Sequence, residues 1–152
     1  MNASELNDRL GLAFNRMDCL YRDLALEAGL PQSVFWILYM LWCSPVALTS
    51  AQLVQYGGLP KQTVSSALSH IRQKGYISQK SPRSPVSLSE TGCQFCNRLL
   101  TGVREMEFAA LETMGEDKAV RLVALLEDYV RIFGNLETAR QKPACERRNV
   151  HE

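Results

Sequence analysis

The chain has 152 residues, 46% of them hydrophobic and 22% charged, with a formal net charge of +1. That length and apolar content suit one domain of ordinary size, or a small domain with extensions, and exclude disorder as the default state. The longest apolar run, Val34 to Cys43, is about half of the roughly 20 residues that a membrane-spanning helix needs. The stretch from Met1 to Arg9 is polar and acid-containing, unlike a signal peptide, so the expected location is the cytoplasm, with no membrane partner.

The near-neutral total conceals a polarised chain. From Ala28 to Ser89 there is no Asp or Glu, yet Lys61, Arg72, Lys74, Lys80 and Arg83 lie there, so the stretch carries +5. The flanks hold the other 12 of the 17 basic residues and all 16 carboxylates, which gives them −4. A cationic, anion-free middle suggests a surface that faces phosphates. Five cysteines, Cys19, Cys43, Cys93, Cys96 and Cys145, form an odd, scattered set that argues against a secreted disulfide framework. Cys43, inside an apolar run, is expected to be a small core residue.

From about Ser4 to Ala28, apolar residues recur at helical spacing (Leu6, Leu10, Phe14, Met17, Tyr21, Leu24), and Gly29 closes this helix. Pro31 opens a second helix, and Ser44-Pro45 ends it. Its Val34, Ile37, Leu38 and Leu41 share one face and its Trp36, Tyr39, Met40 and Cys43 another, which predicts packing on two sides. Thr49 and Gln52 have the spacing of a capping box at the head of a short helix through Tyr56. Gly57-Gly58 breaks it, and a further helix runs from Pro60 to Lys74 with Gly75 as its C-terminal cap. Two short helices across a glycine turn make a helix-turn-helix candidate. Tyr76–Lys80 and Pro85–Leu88 then read as two strands around the tip Ser81-Pro82-Arg83-Ser84. Ser89 can cap a long helix that Gly115 interrupts, and a last helix carries Leu122, Val123, Leu126, Val130 and Phe133. Beyond about Gln141 the tail, residues 141–152, is expected to be disordered.

On a helical wheel, Val64, Ala67, Leu68 and Ile71 gather on one side of the Pro60–Lys74 helix. Gln62, Ser66, Ser69, His70 and Gln73 lie opposite, with Thr63 and Ser65 on the flanks. Short hydroxyl and amide side chains of this kind read base edges when a helix lies in the major groove. Lys61, Arg72 and Lys74 sit at the margins, where phosphates would run. Thr49, at the head of the preceding helix, and Lys80 complete the candidate DNA contacts. Helix, turn, polar-faced helix, strand, basic tip, strand is the order of a winged helix, and Arg83 at its tip is the candidate for minor-groove insertion.

From about Leu6 to Phe133 the chain resembles the multiple antibiotic resistance regulator (MarR) family of bacterial transcription factors. The resemblance rests on the helix order and on three segments: Leu48-Thr49-Ser50-Ala51-Gln52-Leu53, Gln62 to Leu68 continued by Lys74-Gly75-Tyr76-Ile77, and Val86-Ser87-Leu88-Ser89-Glu90-Thr91-Gly92. It implies a mainly α fold with a small β-hairpin wing. Residues 1–140 would form a single MarR-like chain, with a winged-helix DNA-binding lobe at about 30–90 and dimerisation helices at about 4–28 and 90–140. It further implies a homodimer on a pseudo-palindromic operator. The protein would then be a regulator, expected to be a repressor, released by a small aromatic effector or by thiol oxidation. Trp36, Tyr39 and Met40 are the pocket candidates for that effector, with plain interlayer core as the alternative. The sequence departs from the family in a short wing that has Arg83 but no Asp, and in Ser66 where a long side chain is common.

Cys93 and Cys96 form a Cys-x-x-Cys pair at a helix start, but the surrounding pattern is not that of a redox enzyme. A zinc knuckle would have to draw on Cys145 and His151 in the tail. No catalytic residues, metal or cofactor are therefore expected, and the chain does not read as an enzyme. A thiol switch on Cys19, Cys93 or Cys96 fits the family better. The remaining alternative is a winged-helix dimer that serves as a protein-interaction adaptor, with weak or no DNA binding.

Overall fold

The computed structural model describes residues 2–81 and 83–141. Pro82 and the polar tail, with Lys142, Cys145, Arg147, Arg148 and His151, lie outside the described residues. The elements run α1 (Ala3–Glu27), α2 (Gln32–Cys43), α3 (Ser50–Gly57), α4 (Lys61–Gln73), β1 (Ile77–Ser78), β2 (Ser87–Leu88), α5 (Glu90–Met114) and α6 (Glu116–Gln141). The expected mainly helical fold with a small hairpin is present.

Local chemistry sets each boundary. Asn2 begins α1 through a reciprocal cap: its Oδ1 accepts the Glu5 N–H at 2.9 Å, while the Glu5 carboxylate accepts the Asn2 N–H at 3.2 Å. The same box recurs at α3, where the Thr49 hydroxyl accepts from Gln52 N–H at 3.2 Å and Gln52 Oε1 accepts from Thr49 N–H at 2.8 Å. Gly58 (φ +59°) turns the chain between α3 and α4, and Gly75 (φ +72°) ends α4 in the left-handed region that only glycine enters cheaply.

The described residues fall into two compact units that divide between Val103 and Arg104. In the first, α2 is the central element. Its Val34, Ile37, Leu38 and Leu41 are buried, together with Leu53 of α3 and Val64, Ala67, Leu68 and Ile71 of α4. Each large side chain so buried stabilises the lobe by roughly 1.5–3 kcal/mol before entropy is counted. The opposite face of α2 is only half-buried at Trp36, Tyr39 and Met40. Cys43 is exposed, not a core residue. It lies half a turn around the helix from Val34, Leu38 and Leu41, at the last residue of α2 before the chain leaves at Ser44-Pro45.

The wing strands are shorter than the expected Tyr76–Lys80 and Pro85–Leu88. Among the described residues of the wing only Ile77↔Leu88 and Ser78↔Ser87 pair. Beyond them, side chains take over the backbone groups: Ser81 N–H donates to Ser84 Oγ at 2.8 Å, and Gln79 Nε2 donates to Ser84 O at 2.8 Å. Val86 pairs instead with Leu48, just ahead of α3, by reciprocal backbone bonds of 2.9 and 2.7 Å. The wing is thus tied to the start of the helix-turn-helix, a bridge that no local pattern announces.

The joint between β2 and α5 is tight. Ser89 Oγ accepts the Gly92 N–H at 3.0 Å and donates to Gly75 O at 2.6 Å, while Ser89 N–H donates to Tyr76 O at 2.9 Å. A Cβ on buried Gly92 would sit 1.9 Å from Tyr76 O, well inside contact distance. Glycine is the residue that permits this approach of helix to strand.

The outer helices differ in character. On α1, Phe14, Met17 and Leu20 are exposed. In the second unit, Met106 and Phe108 of α5 and Val123, Val130 and Phe133 of α6 are exposed as well. Among the described residues no single helix is long and apolar enough to cross a membrane; α1 and α2 reach that composition only as a pair bent by 93°.

Candidate nucleic-acid interface

The polar face of α4 is built by what its other face buries. With Val64, Ala67, Leu68 and Ile71 turned into the core, residues spaced by three and four on the far side line up as one exposed ridge, Gln62, Ser66, Ser69 and Gln73. Every member can both donate and accept hydrogen bonds. No carboxylate occurs anywhere in this part of the chain to repel a phosphate.

Two stripes flank the ridge and look in different directions. On the wing side, Lys61, Ser65 and Arg72 line a groove of about 850 Å³. Ser50 and Ala51 of α3 form another wall, and Gln79, Lys80 and Ser81 of the wing close the third. Its floor is apolar, with Val54, Val64 and Leu68. On the other side, His70 and Lys74 edge a smaller cavity of about 250 Å³ beside Leu30, Val34, Tyr76 and Phe95. The Tyr76 and Phe95 rings stack there with centroids 4.5 Å apart. His70, half-buried at this edge, stands away from the ridge with which the sequence had grouped it.

The remaining expected contacts divide as follows. Lys61, Gln62, Ser65, Ser66, Ser69, Arg72, Gln73, Lys74, Lys80 and Arg83 are exposed, and Thr63 is half-buried. Thr49 is engaged in the α3 cap, where its hydroxyl also donates to Gln52 Oε1 at 2.9 Å. Gln79, which carries no sequence signal, links Arg72 to the wing, with Arg72 Nη2 2.5 Å from its Oε1. The two residues lie seven apart on different elements, so no helical or strand periodicity marks the pair.

The effector candidates are not all brought together. Trp36 and Tyr39 join a ladder of rings with Tyr21 and Trp42, with successive centroids 4.5, 5.9 and 6.4 Å apart. Met40 reaches the end of α3, where its Cε stands 3.0 Å from the position of a Cβ on Gly57. The cysteines are also unequal. Cys19 is half-buried with Arg22 Nη2 3.2 Å from its sulfur, Cys93 is exposed, and Cys96 is buried. Burial pushes the Cys96 thiol up to about 12, with neighbouring Cys93 adding to the effect. Cys96 therefore stays protonated and unreactive near neutral pH. Among the described residues no three His, Cys, Asp or Glu side chains form a group that could hold a metal ion.

Comparison with known proteins agrees with this geometry. Residues 28–84 match the family model for the MarR family. The solved structure of NMB1585, a MarR family regulator from Neisseria meningitidis, is similar with a TM-score of 0.78 at 24% identity, covering 93% of this chain and 100% of its own. NadR in complex with 4-hydroxyphenylacetate has a TM-score of 0.69 at 20% identity, covering 86% of this chain and 98% of its own. The Mycobacterium tuberculosis MarR family protein Rv2887, in complex with DNA, has a TM-score of 0.57 at 22% identity, covering 85% and 98%. At these identities the likeness is one of fold. No curated protein matches the chain.

Proposed function

We infer that this chain, whose residues 28–84 match the MarR family model and whose fold is similar to that of MarR family regulators, is a sequence-specific, DNA-binding transcription regulator. The observation that carries the reading is the α4 ridge of Gln62, Ser66, Ser69 and Gln73, exposed on an acid-free lobe between rows of cations. In this reading α4 lies in the major groove, the ridge reads base edges, Lys61, Lys74 and Lys80 meet phosphates, and Arg83 enters the minor groove. The regulator works in the cytoplasm as a repressor, non-enzymatic and without a cofactor.

Two copies bind a pseudo-palindromic operator with half-sites about one helical turn apart. The uncovered apolar faces of α1 and of the second unit support this, because surfaces of that kind are rare on a monomer. A small aromatic effector that releases the DNA would be received by the half-buried face of α2 around Trp36 and Tyr39, whose rings adjoin, with Met40 turned toward Gly57. The NadR structure with 4-hydroxyphenylacetate supports that class of ligand. Release by oxidation would fall to Cys93 or Cys19, whose sulfurs are more accessible than that of Cys96.

A salt titration on operator and random duplexes tests the reading. Neutralising several phosphates makes log Kd climb steeply with log salt, at about 0.9 per contact. Two-residue wing strands and the short Ser66 favour one rival, the protein adaptor, and an adaptor would show little DNA affinity to lose. Genomic fragments selected by the protein would give the operator and the regulated genes.

A further inference from the structure

Arg72 does not stand alone on α4. Its Nη2 donates to Gln79 Oε1 at 2.5 Å, and the amide nitrogen of the same Gln79 donates to Ser84 O at 2.8 Å. Ser84 in turn closes the tip, since its N–H donates to Ser81 O at 3.0 Å and its hydroxyl to the same oxygen at 2.8 Å. One half-buried side chain thus joins the last turn of α4 to the turn that carries Arg83.

The geometry points to Gln79 as a positioning residue for DNA binding, one that sets Arg72 and the wing tip in a single frame while leaving the charge of Arg72 intact. The inference rests on the DNA-binding reading above. Its chemical argument is specific. A guanidinium only donates and a carbonyl only accepts, so the linker must accept at one end and donate at the other. A primary amide does both. A carboxylate would hold Arg72 but face Ser84 O with an unprotonated oxygen, and it would cancel one of the five cations of the stretch from Ala28 to Ser89. A lysine could not accept from Arg72 at all. The neutral amide also spends a single donor of the guanidinium fork, so the other N–H groups remain for phosphate oxygens along the groove that Arg72 shares with Lys61 and Lys80.

The test uses the full chain, a random-sequence duplex and a salt series, with thermal stability measured alongside. Gln79→Leu keeps the bulk and removes the bonds to Arg72 and Ser84; it should weaken binding about tenfold, with the salt slope nearly unchanged because no charge is lost. Gln79→Glu should lower the slope by about 0.9, one phosphate contact, since Arg72 becomes paired. Arg72→Ala should cost clearly less in the Gln79→Leu background than in the wild type. Penalties that simply add, or a Gln79→Glu protein with wild-type slope and affinity, overturn the role of Gln79 while DNA binding stands. Wild-type protein that binds no duplex at low salt overturns the DNA reading, and this inference with it.

Discussion

The lobe from α2 to β2 and the long outer helices bury their apolar residues to different extents. In the lobe, α2, α3 and α4 enclose a core with Ile37, Leu53 and Ile71 fully out of solvent, and its outward face is polar and free of carboxylates. On α1, on the second half of α5 and on α6, residues of the same apolar types, such as Phe14, Phe108 and Phe133, remain exposed. All sixteen acids of the protein lie outside the stretch from Ala28 to Ser89, most of them on these helices. One region is complete as a folded object and unfinished only electrostatically; the other is unfinished hydrophobically. The first presents cations with no acids among them, and the second presents apolar side chains to solvent.

The most severe way to break the completed region is through its tightest contact. Gly92→Ala should destabilise the lobe by about 4 kcal/mol in urea titration, because the new Cβ collides with backbone at Tyr76 O. The unfinished region should respond in assembly before it responds in fold. Phe133→Asp with Val130→Asp should weaken self-association by about 2–3 kcal/mol in sedimentation, since both side chains are exposed in the single chain.

A smaller effect tests the dryness of the core. The Cys96 thiol titrates near 12 when folded, against 9.0 for the unperturbed group. The folded form holds its proton more tightly, so this contribution is whole below pH 9 and is lost as pH rises toward 12. By pH 10 the loss is on the order of 1 kcal/mol, and Cys96→Ala should flatten that part of the stability profile. The mildest change addresses the polar face: Gln62→Ala should reduce the preference for operator over random duplex by about 1 kcal/mol, with the salt slope unchanged. Arg83→Ala should weaken binding by less than that, and chiefly at A·T-rich flanks.

How much of this was legible follows from the range of the forces involved. Gly29, Gly58, Gly75, Gly115 and the prolines act within a turn, so the order of helices and their ends could be read to within a residue or two. The α4 wheel was legible for the same reason, since Val64, Ala67, Leu68 and Ile71 declare the buried side and leave the ridge by subtraction. Contacts between distant segments were not. The Leu48–Val86 bridge joins residues 38 positions apart, and the Arg72–Gln79–Ser84 link spans a helix, a strand end and a turn. Cys43 shows the limit of composition: its neighbours in sequence are apolar, but its angular position on α2 leaves it exposed. The half-burial of His70 beside Tyr76 and Phe95 was equally out of reach, because a wheel does not show what stands beside the helix.

The Ser89 hydroxyl grips the carbonyl that ends α4 with one hand and the first turn of α5 with the other. A crank has this construction. A tilt of the first turn of α5 would strain the 2.6 Å hydroxyl bond to the end of α4 and press on the glycine-sized gap at Tyr76 O. The end of α4 and the start of α5 are thus joined through an uncharged hydroxyl, a link that salt does not screen.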